Sequence, residues 1–215
     1  AWNYFVNKKG VFCAGPLEGM AFFDLNQNGG KVNFQLHFSP ICIDDKYGYD
    51  AYDLYDYPRV DGFTILPTLL HPKSRGTVSL SSSDPKDAPI IQPNFLEEKE
   101  DLDQLVKGGE LVYKLMKDEA LRKHTLRDRL PFDRNSQDSL IKHIKKTLET
   151  VYHPVGTCKM GVDSMAVVDP MLKVHGISNL RVVDASIMPL IVSGNTNAPV
   201  YMIAEKASDM ILNNY

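Results

Sequence analysis

Hydrophobic periodicity is the sequence feature that most restricts the fold of this 215-residue chain. Three stretches repeat apolar residues at helical spacing, at about residues 102–116, 136–148 and 198–212. Short β-prone runs such as VNFQLHFSP, DGFTILPTLL and TVSL lie outside them, bounded by Gly, Pro or Asp turns. The pattern predicts strands combined with helices rather than a purely helical chain.

The ends and centres of the predicted helices carry further signals. The first helix contains the pair Gly108-Gly109, so we expect one amphipathic helix with a weak centre. Ser136 and Asp138 are suitable caps for the second helix. Pro199 suits the first turn of the last helix, where its missing N–H costs no hydrogen bond.

Two segments are predicted to be non-helical. The apolar run LRVVDAS, residues 180–186, is predicted to be a strand directly before the last loop and helix. The segment YGYDAYDLYDYP, around residues 47–57, is predicted to be a surface loop, with a lid or a partner contact as the alternative.

Composition excludes several classes of protein. With 43% apolar and 24% charged residues, the chain is neither disordered nor collagenous. A net charge of -3 with dispersed basic residues predicts binding to neither nucleic acid nor an anionic membrane, and no apolar run is long enough for a membrane span. The three cysteines, Cys13, Cys42 and Cys158, form no CxxC motif, so we expect buried thiols with at most one disulfide. No group of residues has the spacing of a zinc site, so we expect no metal site.

Two segments of the last third carry the residue types of redox chemistry. His153 opens the segment His-Pro-Val-Gly-Thr, and an imidazole can accept a proton near neutral pH. The segment SGNTNAP, residues 193–199, leads into a predicted helix whose first amides would suit an electron-rich ring edge or a phosphate. No GxGxxG or GxxxxGK[ST] turn is present, so the chain has no recognisable pyrophosphate-binding element of its own.

Several strings together identify a family. YHPVGTCKMG (152–161), AVVDPMLKVHGISNLRVVDASIMP (166–189) and SGNTNAPVYMIAEKASDMI (193–211) closely resemble the C-terminal end of the glucose-methanol-choline (GMC) oxidoreductases. Upstream, residues 67–116, which include HPKSRGTVSL, are similar to insect members. The first sixty residues fit the family's variable substrate-domain region more loosely.

The resemblance implies an α+β fold that is part of a larger enzyme. Residues 1–160 would form a substrate-binding domain, an antiparallel sheet with flanking helices. Residues 161–215 would supply the closing strand and helix of a Rossmann-like FAD domain whose remainder is missing. We therefore expect a complementary chain carrying the N-terminal FAD-binding region, because the edge of LRVVDAS would otherwise be exposed; a truncated fragment is the alternative.

The resemblance also implies the roles of individual residues. His153 would accept the hydroxyl proton of an alcohol while hydride moves to flavin N5, and Asn195 would orient the substrate oxygen. Residues expected beside the cofactor are Asp184, Ala185, Asn197, Ala198, Pro199 and Val155. His37 and Tyr152 are weaker candidates for substrate contact.

The activity implied is an FAD-dependent oxidation of a CH–OH group in a small-molecule alcohol or sugar. Two alternatives remain open at this point: a hydroxynitrile lyase on the same FAD scaffold, and a non-catalytic fragment. The sequence names neither the substrate nor the electron acceptor. Localisation also stays open, with an extracellular site favoured only by the similarity to insect members.

Overall fold

The computed structural model describes residues 2–10, 13, 15, 17–27, 29–42, 60–128, 133 and 135–213, and within them the short strands precede the long helices. The elements are α1 (Trp2–Phe5), β1 (Gly19–Phe23), β2 (Phe34–Ser39), β3 (Thr64–Leu69), β4 (Thr77–Ser79), β5 (Ile90–Gln92), α2 (Lys99–Lys117), α3 (Glu119–Arg122), α4 (Gln137–Thr147), a 3-10 helix (Ala185–Ile187) and α5 (Asn197–Leu212). The expected mixture of antiparallel sheets and helices is confirmed. The loop predicted at residues 47–57 lies outside the described residues.

The chain divides into two compact units that each combine distant segments. The first contains residues 1–69 and 102–149, and the second contains residues 70–101 and 150–215. The two units are defined by packing. The division into domains at residue 160 concerns substrate and cofactor binding, and it stays a prediction.

The first unit is built on an antiparallel sheet with β2 between β1 and β3. In the register of this sheet, Leu36 of β2 lies opposite Ala21 of β1 and Pro67 of β3. Because side chains alternate along a strand, Phe34 and Phe38 share the face of Leu36. Phe34 is completely buried. Leu36 is buried as well, so this apolar face contributes to the core of the first unit.

The opposite residues of β2 are polar yet buried. Gln35, His37 and Ser39 alternate with the apolar residues and are almost inaccessible to solvent. The Nδ1 atom of His37 lies 3.2 Å from Oγ1 of Thr68 on β3. The amide of Gln35 donates to Sδ of Met20 on β1 at 3.4 Å. Cross-strand pairing therefore satisfies polar groups that would be costly to bury alone.

Helix α2 runs without interruption through the glycine pair, which confirms a single helix. A Cβ on Gly108 would overlap the ring of Phe34, and a Cβ on Gly109 would lie 3.1 Å from Cδ1 of Leu140 on α4. The two glycines thus let α2 approach the sheet and α4 closely. Their role is packing, whatever their cost in helix propensity.

Helix α4 begins directly after Ser136, the residue that was predicted to cap it. The side chain of Ser136 accepts a hydrogen bond from the N–H of Ser139 at 3.3 Å, which satisfies one of the free amides of the first turn. Leu140 is buried. The basic residues Lys145 and Lys146 occupy the last turn, where their positive charges interact favourably with the helix dipole.

In the second unit, β4 and β5 pair as an antiparallel ribbon whose residues are all exposed. Strand β4 matches the predicted TVSL run, whereas β5 was not among the predicted strands. A Cβ on Gly76 would lie 2.5 Å from the backbone oxygen of Gln92, so the entry to the ribbon requires a glycine.

The core of the second unit combines α5 with the segments before it. Its buried residues are Val168, Leu172, Ile187, Met188, Ile203 and Ala207. Isolated bridges, such as those joining Met160 to Val168 and Val168 to Val174, connect these segments. The last helix was expected at residues 198–212, and α5 confirms it.

The strand predicted at residues 180–186 is not formed, although all seven residues are described. Arg181 makes one isolated antiparallel bridge to Lys173, and Val182 and Val183 pack against the core without a continuous ladder. The chain then turns into the 3-10 helix because the carboxylate of Asp184 accepts a hydrogen bond from the N–H of Ser186. The closing strand of a Rossmann-like domain is therefore not confirmed.

The three cysteines are free thiols, of which only Cys42 is buried; Cys158 is half-buried and Cys13 is exposed. The expectation of buried thiols thus holds for one residue. Among the helices in the described ranges, none has both the length and the apolar character needed to cross a membrane.

Candidate functional site

The segment that carries His153 is shaped by an unusual backbone. Tyr152 lies in the left-handed region at φ 61°, and Gly156 follows at φ 90°. A non-glycine residue rarely adopts such a conformation, and local strain of this kind is concentrated at functional sites. The two positive φ values bracket His153, which is half-buried.

Hydrogen bonds tie this segment to the 3-10 helix. The N–H of Cys158 donates to the backbone carbonyl oxygen of Ser186 at 3.0 Å, and the N–H of Met160 donates to the backbone carbonyl oxygen of Ile187 at 2.8 Å. Ile187 is a core residue. The position of His153 is therefore set by a short segment fastened to the core of the second unit.

An exposed ion pair stabilises the turn that follows. Nζ of Lys159 lies 2.9 Å and 3.1 Å from the two carboxylate oxygens of Asp163. The hydrogen bond from Lys159, followed by that from the N–H of Met165, lowers the pKa of Asp163 below its ordinary value. Asp163 thus stays ionised, which favours the closed turn.

The second segment of the site begins α5. Thr196 occupies the N-cap position but makes no side-chain cap hydrogen bond, and it is only 7% exposed. Its hydroxyl is directed to another residue, since Oγ1 lies 2.9 Å from Nδ1 of His153. An ordinary helix cap has been replaced by a contact across 43 residues of sequence.

Both ring nitrogens of His153 are engaged. Nδ2 of Asn195 lies 2.9 Å from Nε2, opposite the contact between Thr196 and Nδ1. An amide nitrogen only donates, so with the Asn195 amide in this orientation Nε2 accepts the hydrogen bond through its lone pair. The proton of the ring is then on Nδ1, which donates to the hydroxyl oxygen of Thr196. This tautomer is the one a general base at Nε2 requires.

The first turn of α5 supplies hydrogen-bond donors. Asn197 and Ala198 are exposed, and their N–H groups have no acceptor within the helix because they lie in its first turn. Pro199 has no N–H to satisfy. Thr196 does not cap this end, so the donors and the positive end of the helix dipole suit the electron-rich edge of a flavin ring. The donor set present therefore fits the expected cofactor.

The other residues predicted beside the cofactor have structural contacts as well. Asp184 is exposed and caps the 3-10 helix through its contact with Ser186. Val155 and Ala185 are partly buried and pack against the core. Contact of these residues with a cofactor stays a prediction, and Val155 and Ala185 would offer mainly their backbone.

The two candidates for substrate contact differ in exposure. Tyr152 precedes His153 and is 71% exposed. His37 is buried in the sheet of the first unit, where Thr68 contacts its Nδ1. Substrate contact by either residue stays a prediction. No group of three His, Cys, Asp or Glu side chains able to hold a metal ion occurs in the part of the chain described.

Sequence reasoning missed two polar contributions to the site. Thr196 was not singled out, although its place directly before the predicted helix start marks it as a capping residue. His71 was not a predicted site residue, yet its Nε2 lies 2.8 Å from Oγ of Ser193, two residues before Asn195. No local pattern identifies this contact, because the two residues are 122 positions apart.

Comparison with known proteins places this geometry in a family. A family model described as GMC oxidoreductase matches residues 72–204. An alcohol dehydrogenase [acceptor] of Pseudomonas putida is 39% identical over 98% of this chain and 37% of its own length. An oxygen-dependent choline dehydrogenase of Pseudomonas fluorescens is 36% identical over 97% of this chain and 36% of its own length. The chain spans little more than a third of such relatives.

Solved structures agree with this result. Pyridoxine 4-oxidase from Mesorbium loti superposes with a TM-score of 0.82 at 28% identity, covering 93% of this chain and 38% of the other. An Aspergillus oryzae RIB40 formate oxidase, in a study of FAD modification, gives 0.82 at 27% identity and covers 99% and 41%. The expected cofactor, FAD, is confirmed as that of the family.

These comparisons also revise two expectations. The relatives named above come from bacteria and a fungus, so the particular similarity to insect members is not supported. They are dehydrogenases and oxidases, so the lyase alternative receives no support either. The family model matches more than half of the chain, and the matched residues include His153 and Asn195, whose side chains are in contact. The chain therefore belongs to the GMC oxidoreductases.

Proposed function

We propose that this chain supplies the proton-accepting site of an FAD-dependent oxidoreductase that acts on the CH–OH group of an alcohol or sugar. The observation that carries the proposal is the pair of hydrogen bonds on His153, which leaves the lone pair on Nε2. Homology to alcohol and choline dehydrogenases supports the class of reaction.

The reaction divides between side chains and cofactor. The substrate hydroxyl takes the place of Asn195 at Nε2 of His153 and gives its proton to that atom. The amide of Asn195 then donates to the oxygen on which negative charge develops. Bound FAD would supply the hydride acceptor for this oxidation. The products are a carbonyl compound and a protonated His153, which the hydroxyl of Thr196 keeps oriented.

The backbone amides of Asn197 and Ala198 are proposed to bind the flavin edge. Asp184 and Ala185 are proposed to lie near the ribityl and pyrophosphate groups. The dinucleotide turn must come from elsewhere, since the sequence has no GxGxxG. We therefore propose a complementary FAD-binding region, encoded upstream or in a second chain, and suggest that residues 180–186 join its sheet.

The test is flavin reduction in the enzyme that contains this chain. Under anaerobic conditions, a primary alcohol, choline or a sugar that is a substrate bleaches flavin absorbance at about 450 nm. His153→Ala should slow this step at least about a hundredfold, the usual contribution of a positioned general base, with flavin content unchanged. His124→Ala, at an exposed histidine of the other unit, is the matched control.

Two outcomes would contradict the proposal. Flavin that no alcohol or sugar reduces would exclude the oxidation. Reduction by His153→Ala within about threefold of the unaltered enzyme would remove His153 from the role of base while leaving the class of reaction intact.

A further inference from the structure

A second histidine contacts the loop that carries Asn195. Nε2 of His71 lies 2.8 Å from Oγ of Ser193, where the segment 193–196 begins. At the other end of this segment, Oγ1 of Thr196 contacts His153 at 2.9 Å. All these residues belong to the second unit. Asn195 is therefore held between two side-chain contacts, one on each side.

His71 itself lies on a fastened segment. Asp101, at 4% exposure, accepts hydrogen bonds from the N–H groups of Lys73 at 2.7 Å and Ser74 at 2.8 Å. The hydroxyl of Ser74 donates to the same carboxylate at 2.5 Å. Hydrogen bonds to a buried carboxylate are short and strong, so the segment after His71 has little freedom. A contact from His71 can therefore fix its partner.

The loop needs such a restraint. Gly194 separates Ser193 from Asn195, and glycine has access to more backbone conformations than any other residue. A displacement of a reacting or orienting group by about 1 Å can reduce the rate by about a hundredfold. The amide of Asn195 has to stay within hydrogen-bond reach of the substrate oxygen.

We propose that His71 is a positioning residue: through Ser193 it holds Asn195 in the orientation that meets the substrate oxygen and Nε2 of His153. This inference rests on the proposed function of Asn195 and adds the residue that places it. The alternative is an exposed hydrogen bond between His71 and Ser193 that leaves Asn195 unaffected, and it predicts a different result in each experiment below.

A double-mutant cycle in the flavin-loaded enzyme tests the coupling. His71→Leu and Ser193→Ala should each slow alcohol-dependent flavin reduction about three- to tenfold, the scale of one hydrogen bond, and the double variant should be no slower than either. In an Asn195→Ala background, His71→Leu should add nothing. His71→Gln, which keeps a donor and an acceptor, should recover part of the rate. Ser178→Ala, at another exposed serine of the same unit, is the control.

Hydrogen exchange gives a readout that needs no activity. The peptide covering residues 193–198 should exchange faster in Ser193→Ala than in the unaltered enzyme, while peptides of α4 should not change. Ser193→Ala also serves if His71→Leu fails to fold, because it truncates an exposed residue.

The outcomes separate the inference from the proposed function. Independent, multiplying effects of His71→Leu and Ser193→Ala, or unchanged exchange in residues 193–198, would overturn the positioning role even in an active enzyme. An enzyme that no alcohol reduces, but whose loop exchanges faster in Ser193→Ala, would contradict the proposed function and leave the restraint by His71 in place.

Discussion

At the scale of single residues, the site is distinguished by a threonine that does not cap its own helix. Thr196 is buried at the N-cap position of α5, and its hydroxyl contacts Nδ1 of His153. The helix therefore gives up a cap hydrogen bond, worth about 1 kcal/mol in typical proteins. Together with the amide nitrogen of Asn195 at Nε2, this contact fits the tautomer of His153 that has its lone pair on Nε2.

Thr196→Val tests this role. The substitution keeps the shape of the side chain but removes the acceptor for Nδ1–H, so flavin reduction by an alcohol should slow about three- to thirtyfold with flavin content unchanged. Rapid-mixing absorbance measures the rate. Thr196→Ser should restore most of it, because the hydroxyl returns. A rate equal to that of the unaltered enzyme in Thr196→Val would show that the contact does not orient His153.

His143 should make stability depend on pH. Burial, and then the charge of Lys146, lowers the pKa of His143 below its ordinary value. The unfolded chain then binds a proton more readily than the folded one, so the contribution of the neutral ring is complete above the unfolded pKa of about 6.5 and is lost as pH falls below it. His143→Gln should weaken this loss, as measured by urea unfolding between about pH 5 and 8. An identical pH dependence in the variant would contradict it.

At the scale of elements, the sequence predicts helices well and their packing poorly. Helices α2, α4 and α5 follow from apolar spacing, and Ser136 follows from its capping position. The same local signals could not show that Gly108 lies against Phe34, since that contact joins a helix to a strand far away in the sequence. Gly108 lowers the local helix propensity of α2, but in the folded chain it allows α2 to pack closely against Phe34.

The adjacent glycines provide a matched comparison. Gly108→Ala should destabilise the protein by about 1–3 kcal/mol, because the new methyl group overlaps the buried ring of Phe34. Gly109→Ala meets only the end of the Leu140 side chain at 3.1 Å and gains helix propensity, so its effect should be much smaller. Denaturant unfolding of the flavin-loaded enzyme measures both. Equal destabilisation by the two substitutions would contradict the assigned packing.

At residues 180–186, local prediction gave a strand that the structure does not form. Its apolar residues favour a strand, yet Val182 and Val183 pack against the core with only one bridge nearby, at Arg181. A strand needs a neighbouring strand to satisfy its backbone, and the described residues of the second unit offer only this isolated bridge. We expect a continuous ladder here only when the rest of the FAD-binding region is present.

At the scale of the whole molecule, the second unit carries several large apolar side chains that are exposed to solvent. On α5, Tyr201, Met202 and Leu212 are 68%, 65% and 79% exposed, and on the β4–β5 side Leu80 and Ile91 are 85% and 65% exposed. A contiguous patch formed by such side chains would mark an interface. We propose that the FAD-binding region covers these side chains; the alcohol dehydrogenase that this chain matches is longer, and the match covers 37% of its length.

Met202→Lys should therefore favour this chain when it is expressed alone but disfavour the complete enzyme. In this chain expressed alone, a charge at an exposed apolar position should increase solubility and reduce binding of a hydrophobic dye. In the complete enzyme, the same charge should weaken packing and lower flavin content. Ser208→Lys, at an exposed polar position on another side of α5, is the control. Unchanged flavin content in the complete enzyme carrying Met202→Lys would mean that this face of α5 stays open to solvent.

The sequence by itself determined what depends on neighbours along the chain. Periodicity, caps and turn residues place the long helices and strands β2 to β4, and the strings around His153 and Asn195 identify the family. Only the tertiary structure brought His153 to Thr196 and His71 to Ser193, and placed Gly108 on Phe34. These contacts span 43, 122 and 74 positions in the chain, and no local propensity encodes which distant residue will fill the space beside another.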